Sequence, residues 1–129
     1  MKKILVVDDD PEIVDLIKIR LEANNYEVIS SPDGEDGISK VQQEKPDLVI
    51  MDLMMPKMQG GDAVRLLMAD NITKHIPILF LTALTAGLPS EAEHRGVINI
   101  DGHQIPAIPK PFKSEKLLYE VKRMMGDLV

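Results

Sequence analysis

The chain has 129 residues, 44% of them apolar and only 3% aromatic, with a formal net charge of −6 and no cysteine. That length fits one domain with an aliphatic core, in which eight methionines fill gaps. The charge argues against a nucleic-acid surface, and the missing thiols exclude a disulfide framework or thiolate metal site and suit a reducing cytoplasm.

Lys2-Lys3 precede only four apolar residues, too short a run for a signal peptide, and no run approaches a membrane span. Those four, Ile4–Val7, have the pattern of a strand buried on both faces, and they end in Asp8-Asp9-Asp10. Pro11 suits the first position of a helix with Asp10 as its N-cap. Ile13, Leu16, Ile17 and Leu21 fall at helical spacing, which predicts a helix to about Asn24. Tyr26–Ser30 reads as a short strand and Ser31–Gly34 as a turn. A helix from about Glu35 carries Ile38 and Val41 inward until Pro46 stops it.

Leu48–Met51 is the next continuous apolar run, and it ends abruptly at Asp52. Pro56 and Gly60 then mark a loop, and Ala63, Leu66 and Leu67 a third helix to about Asp70. Pro77 opens the strand Ile78–Leu81, which runs into Thr82-Ala83. Thr85–Arg95 has room for a short fourth helix, although Gly87 and Pro89 spoil its start. Within Val97–Ile105, Asp101-Gly102 is a hairpin signal. Pro106, Pro109 and Pro111 bracket a strand too proline-rich to be central, which predicts a sheet edge. Ser114 is the expected cap of a final helix carrying Leu117, Leu118, Val121 and Met125, and Gly126 ends it.

Strands alternating with helices predict an α/β fold, a single domain over residues 1–129 with a doubly wound parallel sheet. Ligand chemistry in such sheets collects at the carboxyl ends of the strands. In a parallel sheet, Asp8, Asp9, Asp52, Thr82 and Lys110 all come to that edge. Converging carboxylates repel one another unless a cation joins them, and oxygen ligands without His or Cys favour Mg2+ over zinc. Mg2+ typically takes one or two carboxylates together with phosphate oxygens. Lys110 and Thr82 add a positive charge and a hydroxyl donor suited to such oxygens. Asp52 is the candidate nucleophile, because a carboxylate can form an aspartyl-phosphate.

The segments VVDDD, MDLMMP, LTA and PKPF, in this order along the whole chain, resemble the receiver domain of bacterial two-component response regulators. The resemblance implies a flavodoxin-like, five-stranded sheet of order 2-1-3-4-5. It further implies that Asp52 accepts a phosphoryl group from a sensor histidine kinase or phosphotransfer protein. Asp9, Asp52 and the backbone carbonyl of Met54 would bind Mg2+ directly, and Asp8 largely through water. Thr82 would swing towards the phosphate, Lys110 would pair with it, and the Lys110–Pro111 peptide is expected to be cis. The chemistry is that of a signalling phosphoacceptor and not of a turnover enzyme. The expected protein is a cytoplasmic receiver, a monomer or weak dimer, acting by protein contact or onward phosphotransfer unless the chain is a fragment of a larger regulator.

Two other readings compete. In a haloacid-dehalogenase-type phosphatase Asp8 would be the nucleophile and Asp10 the acid/base, but Glu12 is unusual there and Asp52 is left without a job. A pseudo-receiver that never takes phosphate is the other, against which all five chemical positions are filled. Departures from the family lie elsewhere. Ala107 replaces the usual aromatic three residues before the lysine, and Lys110 follows Thr82 by 28 positions, longer than the norm. The extra residues fall around Val97–Gln104, where an inserted hairpin beside a shortened fourth helix is expected. Met54 and Leu84, each two residues beyond a site residue, cannot hydrogen-bond an attacking water, so a long-lived phosphorylated form is expected.

Overall fold

The computed structural model describes residues 1–55, 58–83 and 96–128. Among them are six strands, β1 (Lys3–Val7), β2 (Glu27–Ser31), β3 (Leu48–Asp52), β4 (Ile78–Ala83), β5 (Val97–Ile100) and β6 (His103–Lys110). Four helices accompany them, α1 (Pro11–Glu22), α2 (Gly34–Glu44), α3 (Gly60–Ala69) and α4 (Ser114–Met125). The expected fourth helix in Thr85–Arg95, and Leu84, lie outside the described residues.

One sheet of order β2-β1-β3-β4-β6-β5 holds all six strands. The first five in that order pair in parallel, with Ile4 opposite Leu48, Asp52 opposite Leu81 and Ala83 opposite Lys110. Strand side chains alternate between faces, and here both faces are buried. Leu5, Val7, Val49, Met51 and Phe80 point to one side, against Val41 of α2 and Ala63, Val64 and Leu67 of α3. Ile4, Val6, Leu48, Ile50, Leu79 and Leu81 point to the other, against Ile17 and Leu21 of α1 and Leu117 and Val121 of α4. Continuous apolar runs are what this double burial demands.

Local signals fix where the helices start and stop. Asp10 caps α1 by accepting from Glu12 N, and Asp33 caps α2 by accepting from Asp36 N. Gly126 ends α4 in the left-handed region, at φ 74°. Ser114 is not the cap of α4: the cap position is Lys113, which makes no side-chain capping bond, and Ser114 is the first helical residue. The serine stands one place too late for its hydroxyl to serve the free N–H groups of the first turn.

The sheet differs from the five-stranded expectation by one strand. Asp101 (φ 51°) and Gly102 (φ 89°) both take positive φ, the requirement of a tight hairpin turn. They fold Val97–Ile100 back antiparallel on His103–Pro106. The edge is therefore β5, and the proline-rich β6 is one strand in from it. Its halves divide the pairing: Ala107–Lys110 match β4, and His103–Pro106 match β5. The prolines sit within this divided ladder, Pro106 opposite Val97 and Pro109 opposite Thr82, while Ala107 between them also donates its N–H to the Gly96 carbonyl at 2.8 Å.

Helix α2 packs tightly on β1 at Gly37, where a Cβ would lie 2.9 Å from Val7 Cγ2. Val7 is fully buried and β-branched, so it has little freedom to yield. Gly37→Leu is expected to cost about 1–3 kcal/mol of stability by overpacking. Urea denaturation checks this. Combining it with Val7→Ala should cost less than the two single changes added together, and strict additivity would contradict the close contact.

Candidate functional site

Because β1, β3, β4 and β6 run in parallel, their carboxyl ends share one edge, and the residues that follow or end them meet there. Asp8 follows β1, with its backbone N–H held by the Ser31 carbonyl at 3.1 Å. Its side chain is fully buried; Oδ1 accepts from Asp10 N and Oδ2 from Lys110 Nζ, both at 2.9 Å. Asp52 ends β3 at 5% exposure. Its Oδ1 accepts from Met54 N at 3.2 Å, and its Oδ2 lies 3.5 Å from Lys110 Nζ. Asp9 is exposed to solvent. The three acids each offer one oxygen within 4.8 Å of the others, an arrangement able to hold a metal ion.

The loop after Asp52 is tied back tightly. Leu53 N donates to the Leu81 carbonyl and Gly60 N to the Leu53 carbonyl, each at 2.9 Å. Gly60 opens α3 so close to β3 that a Cβ there would lie 2.5 Å from the Asp52 carbonyl oxygen. Only glycine permits that approach. Lys110 ends β6, and the Lys110–Pro111 peptide is cis, as the resemblance implies.

Thr82 is also at this edge, 5% exposed near the end of β4, but its hydroxyl donates to the Ala83 carbonyl at 3.3 Å. That is a long hydrogen bond to the next residue. The structure therefore brings Asp8, Asp9, Asp52 and Lys110 into one group and leaves the Thr82 hydroxyl facing its own strand. Asp10 is outside the group: its carboxylate is engaged as the α1 cap.

Two contacts were not legible in the sequence. Lys110 has Asp8, not Asp52, as its nearer partner. At the tip of the β5–β6 turn, Asp101 pairs with Arg65 of α3 at 3.0 Å, and Arg65 also meets Asp62 at 2.9 Å. The hairpin signal announces the turn, but no local pattern names a partner on another element.

Among the described residues, three carboxylates against one ammonium leave the group net negative, and burial sharpens the conflict. Burial, and then the charge of Asp8, push the Asp52 carboxyl up to about 6; Lys110 and the Met54 N–H offset this only in part. Burial works to lower Lys110, but the hydrogen bond to Asp8 and the charges of Asp52 and Asp8 raise it overall. The donors are oxygens, the chemistry of a hard cation.

A carboxyl whose folded pKa exceeds its unfolded value binds more protons when folded, so stability falls as pH rises between the two values. For Asp52 that window runs from 3.8 to about 6. Asp52→Asn is thus expected to stabilise the metal-free protein at pH 7 by on the order of 2 kcal/mol. The gain should shrink below pH 6 and vanish below pH 4. Urea titrations across that range check it, and a pH-independent difference would contradict the cause given.

With this geometry in view, comparison with known proteins is direct. The family model for the response regulator receiver domain matches residues 4–122. Among curated proteins, the alkaline phosphatase synthesis transcriptional regulatory protein PhoP of Bacillus subtilis is 36% identical over 96% of this chain and 48% of its own length. The DNA-binding dual master transcriptional regulator RpaA of Synechocystis is 36% identical over 97% of this chain and 49% of its own. The chain spans about half the length of these relatives. Among solved structures, the chemotaxis response regulator CheY4 of Vibrio cholerae superposes with a TM-score of 0.81 at 30% identity, covering 96% of this chain and 98% of that one. The signal receiver domain of a signal transduction histidine kinase from Syntrophus aciditrophicus gives a TM-score of 0.83 at 27% identity, covering 99% and 92%. The chain belongs to the response regulator receiver domain family, with the flavodoxin-like fold of its neighbours.

Proposed function

We propose that this chain accepts a phosphoryl group on Asp52 from a histidine kinase or phosphotransfer protein, and that the phosphorylated form changes which protein it binds. The observation that carries the reading is one carboxylate held between two others and a lysine: Asp52 within reach of Asp8, Asp9 and Lys110. An acidic cluster of this kind, with Asp8 and Asp52 buried and Asp9 exposed, opposes the metal-free fold. It suits a site where a cation and a phosphoryl group arrive together.

In this reading an Asp52 oxygen attacks phosphorus, the P–N bond to the donor imidazole breaks, and the imidazole leaves with the bonding pair. At neutral pH the Asp52 carboxyl is mostly ionised, since its pKa is about 6, so the nucleophile is available. Lys110 Nζ, already 3.5 Å from Asp52 Oδ2, pairs with one phosphoryl oxygen. The Thr82 hydroxyl exchanges its long bond to Ala83 for another. Asp8, Asp9, Asp52 and the Met54 carbonyl would hold Mg2+, which when bound neutralises charge on the transferring group.

The chain's own role is covalent signalling and not multiple turnover. Among the described residues no helix is long and apolar enough to cross a membrane. With a charge of −6, the chain does not itself contact nucleic acid in this reading; where relatives are named DNA-binding, their remaining half would supply that contact. A cytoplasmic setting fits a domain that meets the catalytic part of a sensor kinase.

Acetyl phosphate, a small donor that leaves as acetate, tests the proposal. Loading should require Mg2+, disappear in Asp52→Asn and in excess chelator, and slow by about 10²-fold in Lys110→Ala. Retained loading in Asp52→Asn would reject the site. Met54 is half-exposed beside Asp52 and its thioether cannot orient a water strongly, so the loaded form should persist for many minutes. Decay within seconds would contradict that expectation.

A further inference from the structure

The hairpin β5–β6 touches the acid edge from two directions. At its far end, Lys110 delivers the ammonium that reaches Asp8 and Asp52. At its turn, it docks on the first turns of α3. Ile100 is 6% exposed and packs in the core, its Cδ1 3.4 Å from where a Cβ on Gly61 would sit. One position further on, Asp101 holds Arg65 of the same helix. The residue before Gly61 is Gly60, wedged against the Asp52 carbonyl. These contacts close a ring: Asp52, the start of α3, the hairpin turn, β6 and Lys110.

A ring of packed elements transmits displacement, because protein interiors are close-packed and yield little. We propose that docking of the hairpin on α3, through Ile100 and the Arg65–Asp101 pair, positions Lys110 for the phosphoryl group, so that docking and occupancy of Asp52 are thermodynamically coupled. The inference rests on the phosphoacceptor reading and adds to it the element that tunes the site. Ile100, Arg65 and Asp101 are positioning residues; none of them reaches the reacting atoms. The coupling follows from the contacts of this chain: with Ala107 at a strand position where the family usually has an aromatic, β6 has no ring to move with Thr82. Linkage requires reciprocity. If docking favours occupancy, occupancy must favour docking by the same factor.

Beryllofluoride, a non-covalent phosphoryl mimic, is the probe, titrated at saturating Mg2+ and followed by fluorine NMR. Ile100→Ala should raise its dissociation constant about fivefold or more. Ile100→Val, which keeps most of the contact, should bring it back near the parent value. Asp101→Asn removes the ion pair while keeping a residue tolerant of φ 51°, and should raise the constant about two- to fivefold. Because Asp101 is exposed, that variant remains folded even if Ile100→Ala does not. In the parent, loading should slow amide hydrogen exchange across residues 97–107. Lowered thermal stability with unchanged dissociation constants in Ile100→Ala and Asp101→Asn would mean a purely structural hairpin and would overturn the inference. So would hairpin exchange that does not respond to loading. A parent that binds no beryllofluoride at all would instead sink the phosphoacceptor reading on which this one stands.

Discussion

The central constraint is the gathering of Asp8, Asp9 and Asp52 at one edge of the sheet, with the charge of buried Asp8 set against Asp52. A parallel sheet with both faces buried delivers these carboxylates to one edge, two of them nearly inaccessible to water, and among the described residues Lys110 alone brings an ammonium to them. The arrangement opposes folding, as the raised pKa of Asp52 records. Such a conflict persists only where the surrounding scaffold overrules it. Here the scaffold is an apolar double layer in which β1, β3 and β4 are almost wholly buried. Stability is supplied by the strands, and the unmet charge is left at their ends.

Much of this is written locally in the sequence. Ile4–Val7, Leu48–Met51 and Ile78–Leu81 are continuous apolar runs because their strands are covered on both faces, and the acids or threonine that follow them mark where that double cover ends. The placement of Asp52 beside Asp8 follows from parallel pairing alone, since Ile4 opposite Leu48 brings Val7 opposite Met51. Asp10 as a cap was legible for the same reason: the signal is local.

What could not be read is what depends on distant partners. The proline-rich β6 suggested an edge, yet β5 is the edge, because pairing is shared between the halves of β6 and composition does not record which flank is used. The Arg65–Asp101 pair joins residues 36 apart on different elements. Ser114 resembles a cap in sequence, but the helix begins one residue early, so its hydroxyl is misplaced. The elevated pKa of Asp52 is a property of burial and of the neighbouring Asp8 charge, neither of which is written in the segment around residue 52.

The proposed function requires that an oxygen of Asp52 become covalently bonded to phosphorus. Borohydride reduces an aspartyl-phosphate to homoserine, so reducing the protein after loading and sequencing its peptides by mass spectrometry names the acceptor. The predicted result is homoserine at position 52 and nowhere else. Homoserine at position 8, 9 or 10, or at no position after complete loading, would contradict it.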